Sequence, residues 1–500
     1  MVNLAERVWA QADKDPAKTA LTSPRGSMSY GELKQRSGRV ARAVREAGLA
    51  PLDRVILIAP SVIEFPVVYF GLHAAGATII TMNVMATHPE IAYVIEDADA
   101  SLVIAWHENG ASAESAARAA GIPFWRVEDG AAFDEEPDNV VHSHDEADTS
   151  VVLYTSGTTG KPKGAELTAG NLDAVSTILI DCIEFSSDDV VATALPLFHA
   201  YGQASIMNLA LVSGATFSVL SPFEPTQMLD LIARDRVTLV AGVPTMWNAM
   251  LQVAREGVPL DFRSLRYASS GGAALPIDVL KEFQERFGAD LLEGYGLTET
   301  TAVATTHSAD IEKRPGTVGV AAPGMSIEIR DELGNSVAAG VVGEIFVKGP
   351  SVMKGYWNRP EATSEVLEDG WLRTGDLGHL DADGYLTIVD RVKDMIIRGG
   401  YNVYPREVEE VLYEHPDIIE VAVVGVPDTH FGEEVGAVVV TRGDSTLGGP
   451  ELRRWAKERL SAYKVPRLIQ FVDTLPKGPT GKIMKRSVSK DGLLASRVRP

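Results

Sequence analysis

The chain has 500 residues, 45% hydrophobic and 23% charged, proportions of a globular protein long enough for two or more domains. Its formal net charge of −22 argues against a nucleic-acid groove, which needs a basic footprint, yet leaves room for a nucleotide met by local lysines. Cys182 is the only cysteine, so an internal disulfide is impossible and a reducing cytoplasm is the expected setting.

The opening MVNLAERVWAQADKDPAKTA has acidic residues and no long apolar core, unlike a signal peptide, and no run of eighteen apolar residues offers a membrane span. Ser29-Tyr30-Gly31-Glu32 spells a capping box, which predicts a helix to about Gly48. Strands are expected at 55–59, 77–81 and 101–105, with helical spacing over 62–74 and 88–97. The acidic run between Glu128 and Asp148 reads as a solvated connection, and Cys182, inside ILIDCIEF, as buried filler. Val151, Val152 and Leu153 predict a buried strand, and helices at 222–235 and 276–287 alternate with strands at 237–241 and 290–292. Such alternation argues for parallel βαβ units and a doubly wound α/β sheet. Beyond about residue 315, strands at 326–330 and 342–348 with Gly-rich turns suggest a small β-barrel-like unit. A small α+β domain follows: helix 405–413, strands 419–424 and 435–440, helix 450–461. The division expected is 1–390, a joint at 391–394, and a mobile domain at 395–500.

The densest signal is Tyr154-Thr155-Ser156-Gly157-Thr158-Thr159-Gly160-Lys161-Pro162-Lys163-Gly164. Glycines let backbone N–H groups approach an anion, hydroxyls add rotatable donors, and lysines add charge. A Walker A loop is excluded because Pro162 follows Gly160-Lys161. The string resembles the phosphate loop of adenylate-forming enzymes, a family that includes acyl-CoA synthetases, aryl-CoA ligases, luciferases and adenylation domains. Later motifs extend the resemblance over nearly the whole chain.

Glu293-Gly294-Tyr295-Gly296-Leu297-Thr298-Glu299 offers an aromatic face for a purine and a carboxylate of the kind Mg²⁺ takes beside phosphates. The resemblance puts Thr298 on the α-phosphate and Mg²⁺ on Glu299, with Thr155 as a second metal contact. It makes Thr155 to Gly160, Lys163, Gly271, Gly272, Ala273 and Glu293 to Gly296 ATP contacts. It also assigns the ribose to Asp376, in WLRTGD, and to Arg391. Ala194 to His199 reads as an apolar strand ending in an imidazole. By resemblance His199 gates the site and Tyr201 walls the acyl pocket, with Gly242, Val243, Ala273, Gly296 and Val303. These small and apolar residues favour a medium-chain fatty acid or an aryl acid. LPLFHAYGQ holds no Asp to pair an ammonium, so an α-amino acid is a poor substrate.

The resemblance further implies a hinge at Lys393, a catalytic Lys482 in KGPTGK, and a Gly399-Gly400 segment for transfer to CoA. Two departures stand out: Ala169 follows Leu167-Thr168 where many relatives have His, and Tyr401 stands where many have Glu. The reaction implied is carboxylate attack on the α-phosphorus of ATP, loss of pyrophosphate, then transfer of the acyl group to the CoA thiol. An amine or a carrier-protein thiol is the alternative acceptor, and a scaffold that kept the fold is the non-enzymatic one. Neither monomer nor homodimer is distinguished.

Overall fold

Ser29 and Glu32 cap the helix Tyr30–Glu46 reciprocally: Ser29 Oγ accepts from Glu32 N at 3.2 Å, and Glu32 accepts from Ser29 N at 2.8 Å. This helix packs on Glu64–Ala75, whose twelve residues are all buried. A helix apolar on every face must lie inside the fold. Val40 sits so near Gly71 that a Cβ there would stand 2.5 Å from Val40 Cβ, so glycine sets the approach. The computed structural model describes residues 2–128, 133, 136–155, 161–255, 261–443, 445–478 and 481–495.

Two seven-stranded sheets share one core with this helix. The first runs in the order Asp290–Glu293, Tyr267–Ser270, Leu239–Gly242, Val190–Thr193, Thr216–Val219, Thr19–Ser23, Gly26–Ser29. The second runs Gly355–Tyr356, Lys163–Thr168, Thr149–Thr155, Thr78–Met82, Arg54–Ile58, Leu102–Trp106, Phe124–Val127. Ile79 and Val151 of one and Phe217 and Leu239 of the other join a single buried cluster. Apart from Lys163–Thr168, the inner strands are parallel, as alternation requires. Ser326–Arg330, Gly343–Lys348, Trp371–Leu380, Leu367–Glu368 and Leu386–Arg391 form a five-stranded antiparallel sheet. Beyond it, Ile418–Asp428 and Gly432–Thr441 pair with Ile396–Arg398, Tyr401–Val403 and Leu468–Phe471 around a separate core.

Lys163–Thr168 returns antiparallel to Thr149–Thr155, so the described strands on either side of the phosphate-loop motif pair with each other. Two local expectations change. The segment 194–199 is a turn: the strand ends at Thr193, whose Oγ1 accepts from Leu195 N at 3.0 Å. The described part of the acidic run leaves Glu136, Asp145 and Glu146 exposed as expected, but it is docked on the fold and not a free connection. Asp138 N donates to Gly38 O at 3.1 Å, His142 N to Ala74 O at 2.8 Å, and Arg45 pairs with Asp138. Charge alone hid this, because the contacts are mostly backbone. Cys182 is buried, which pushes its thiol up to about 11.

Candidate active site

One cavity of about 1620 Å³ opens where the two large sheets, the antiparallel sheet and the 481–482 turn converge. One side of it is the end of the Thr149–Thr155 and Lys163–Thr168 pair, where Thr155 pairs with Lys163 and Tyr154 with Gly164. A Cβ on Gly164 would stand 2.6 Å from Val152 Cγ1, so only glycine lets the strands close there. Thr155, Lys161 and Lys163 line the cavity. Lys163 Nζ lies 5.2 Å from the Tyr356 ring centre, and Lys161 Nζ 5.3 Å from that of Tyr93. Ser156, Gly157, Thr158, Thr159 and Gly160 lie outside the described residues.

A second side is built by pairing. Asp376 and Arg391 face each other on adjacent antiparallel strands. Arg391 Nε meets Asp376 Oδ1 at 2.9 Å, and the Tyr295 hydroxyl donates to Oδ2 at 2.7 Å. Each carboxylate oxygen keeps acceptor capacity for a further hydroxyl. Asp376 is buried just behind the cavity surface, which Thr374, Gly375, Tyr295 and Arg391 form. Gly294, Gly296 and Thr298 also line the cavity, and a Cβ on Gly296 would stand 2.2 Å from Ala302 O. Glu293 closes its strand by accepting from Leu275 N at 3.1 Å. Burial pushes its carboxyl up to about 7, against the pull of Arg406.

Glu299 presents a carboxylate whose Oε1 accepts from the Tyr356 hydroxyl at 2.8 Å. Thr155 lines the same cavity, its Oγ1 donating to Lys163 O at 3.4 Å. Among the described residues, no three acidic, His or Cys side chains form a self-sufficient metal cage. One carboxylate and one hydroxyl fit Mg²⁺ when phosphate oxygens and water complete the shell.

Lys482 comes from the other core. Its turn is closed by Gly478 N donating to Lys482 O at 2.7 Å and Gly481 N to Gly478 O at 2.9 Å. Thr245 Oγ1 donates to Gly481 O at 3.3 Å, tying the turn to the large unit. A Cβ on Gly272 would stand 3.1 Å from Lys482 Cε and 3.7 Å from Nζ. Burial first, then Arg391, lower the ammonium to about 8, while Asp376 pulls the other way. His199 accepts at Nδ1 from Tyr201 N at 3.3 Å. Burial, then Lys482, lower its imidazole to about 4, so it is neutral near pH 7.

A third side begins at Tyr201, whose hydroxyl donates to Ser269 O at 2.9 Å and lies 2.8 Å from Ser269 Oγ. A π-helix, Tyr201–Asn208, carries Ser205 and Ile206 into the wall, joined by Leu179, Ile183, Leu209, Tyr267 and Val303. Ser205 Oγ and Ser270 Oγ are buried without a hydrogen-bond partner. Ser205, one turn past Tyr201, could have been found from spacing. Leu179, Ile183 and Tyr267 could not, since they arrive from distant strands and helices.

The other expected pocket residues fall elsewhere. Gly242 packs on Trp247, Ala273 is exposed outside the cavity lining, and Val243 lines a small gap shared with His199 and Lys482. Gly271 and Gly272 line the main cavity, as does Lys393. Gly399 and Gly400 form an exposed turn at positive φ (60° and 85°), away from the cavity lining.

Residues 8–357 match the family described as AMP-binding enzyme, and residues 407–482 its C-terminal domain. Feruloyl-CoA synthase of Amycolatopsis is 39% identical over 483 residues, 96% of this chain and 97% of that protein. Indoleacetate–CoA ligase of Aromatoleum aromaticum is 36% identical, covering 97% and 98%. The ATP-bound structure of MatB from Rhodopseudomonas palustris superposes with a TM-score of 0.90 at 36% identity, covering 97% and 98%. The chain belongs to the AMP-binding enzyme family. Among the described residues no helix is long and apolar enough to cross a membrane.

Proposed function

We propose that this chain is an AMP-forming carboxylate–CoA ligase acting on an aryl acid that bears a hydrogen-bonding group. The ligase reaction has two halves. The substrate carboxylate attacks the α-phosphorus of ATP and expels pyrophosphate, and the resulting acyl-adenylate passes its acyl group to the CoA thiol. The observation that carries the reading is Lys482, half-buried at the cavity wall beside Gly272 and Arg391. With an ammonium at about 8, roughly nine in ten molecules are protonated at pH 7. A bound polyphosphate raises that fraction. The ammonium therefore opposes the charge that gathers as carboxylate and phosphate approach.

Asp376 and Arg391 orient the ribose, and Thr298 lies where it can donate to the α-phosphate. Thr155 and Glu299 would hold Mg²⁺ against the phosphates, and the ion supplies charge neutralisation for the departing pyrophosphate. Neutral His199 and Lys482 border the small gap beside Val243, and both must shift before a thiol can pass. Withdrawal of Lys482 by rotation of residues 395–500 about Lys393, bringing Gly399-Gly400 to the site, accounts for the second half-reaction. The buried lone thiol fits a reducing compartment such as the cytoplasm.

The substrate class rests on the wall. Leu179, Ile183, Ile206, Leu209 and Val303 demand apolar bulk. An aryl acid bearing a ring hydroxyl, methoxy or N–H group supplies that bulk. Feruloyl-CoA synthase and indoleacetate–CoA ligase, by their names, act on such acids. The test is acid-dependent ATP–pyrophosphate exchange across hydroxycinnamic, indolic, unsubstituted aryl and fatty acids. Preference for the substituted aryl acids supports the reading; preference for a saturated fatty acid refutes it.

A further inference from the structure

Asp97 lies in the last turn of the helix His88–Ala98, outside the cavity lining, with its side chain 6% exposed. A buried carboxylate is costly unless donors surround it. Here they come from two segments distant in sequence. The Tyr154 hydroxyl donates to Oδ2 at 2.8 Å. Arg359 Nη2 pairs with Oδ1. The Tyr93 hydroxyl lies 3.3 Å from Oδ1 and donates to Pro162 O at 2.9 Å. Tyr93 and Tyr154 also meet edge to face, with centroids 6.3 Å apart. Tyr154 immediately precedes Thr155, and Pro162 lies between Lys161 and Lys163. Arg359 ends the segment whose Tyr356 holds Glu299, and whose Trp357 N donates to Gly164 O at 2.7 Å. One carboxylate thus ties together the segments that carry every described phosphate-facing group from residue 155 to 163, and the arm that orients Glu299.

We propose that Asp97 is a positioning residue for the ATP half-reaction, fixing Thr155, Lys161, Lys163 and the Tyr356 arm through Tyr154, Tyr93 and Arg359. This rests on the adenylation reading. Asp97 touches no reactant, so its effect must appear where the β- and γ-phosphates are present and vanish where they are not. The second half-reaction, from supplied acyl-adenylate and CoA, has neither phosphate.

The experiment compares wild type, Asp97→Asn and Tyr154→Phe. It measures KM for ATP and for the acid in pyrophosphate exchange, and the rate of thioester formation from supplied acyl-adenylate. Losing one charge-assisted bond predicts a rise in KM for ATP of about tenfold in Asp97→Asn, and a smaller one in Tyr154→Phe. KM for the acid and the thioester rate should stay within about twofold. If Asp97→Asn does not fold, Tyr154→Phe, which removes a single hydroxyl, carries the test. Equal loss in both half-reactions overturns the proposal by showing a general structural role, as does an unchanged KM for ATP. Wild-type protein that exchanges no pyrophosphate with any acid refutes the ligase reading itself, an outcome distinct from either.

Discussion

Replacing Lys482 with Ala removes the one ammonium that the 481–482 turn delivers to the cavity, where a Cβ on Gly272 would lie 3.7 Å from its Nζ. The side chain is half-buried at the cavity wall, so its charge is screened less once substrates displace water from the cavity. Preorganised charges at a developing anion contribute about 10²- to 10³-fold each, or about 3–4 kcal/mol of barrier. Lys482→Ala should therefore slow acid-dependent pyrophosphate release by about 10²- to 10³-fold. Thioester formation from supplied acyl-adenylate should change by less than about twofold, because the lysine has left the site by then. Single-turnover quench-flow separates the two steps. An unaffected adenylation rate, or equal loss of both steps, would refute the assignment.

The pH profile of kcat/KM for ATP should fall on the alkaline side near pH 8, as the Lys482 ammonium of the free enzyme loses its proton, and Lys482→Ala should lack that limb. Buried His73 is pushed down to about 3 by desolvation, then by His144, so it is neutral in the fold and takes a proton only on unfolding. Stability from this group is present above the unfolded pKa of about 6.5 and declines as pH falls, by about 2 kcal/mol at pH 5. Denaturation midpoints at pH 7.5 and pH 5 should show the decline, and His73→Gln should flatten it.

The capping box at Ser29 and the hydrophobic periods of the buried strands were legible because both are local. The hairpin direction at Lys163–Thr168 was not, since a Gly-rich loop specifies close approach to an anion and says little about which way the chain leaves. Motif residues Thr155, Lys163, Gly271, Gly272, Tyr295, Thr298, Glu299, Arg391 and Lys482 all reach one cavity, though they come from strands and turns far apart in sequence. Of the residues expected around an acyl pocket, Tyr201, Gly296 and Val303 line the cavity; the rest of that lining was not legible, because apolar pocket residues resemble apolar core residues in sequence. Asp97 carried no signal at all: a lone acid near a helix end reads as solvated until Arg359, 262 residues away, arrives. Of the two departures, Ala169 is the first residue of the helix Ala169–Cys182, whose Thr168 cap accepts from Asn171 N at 3.1 Å. Tyr401 is exposed and stacks on Tyr463 at 4.8 Å, on the same turn as Gly400.

The central claim is tested most directly by following one turnover of a hydroxylated aryl acid with ATP, Mg²⁺ and CoA, with products identified by mass. The ligase account predicts one AMP, one pyrophosphate and one acyl-CoA thioester per acid consumed, with release accelerated by CoA. Adenylate that accumulates and ignores CoA, or passes its acyl group only to an amine or a carrier-protein thiol, would contradict it.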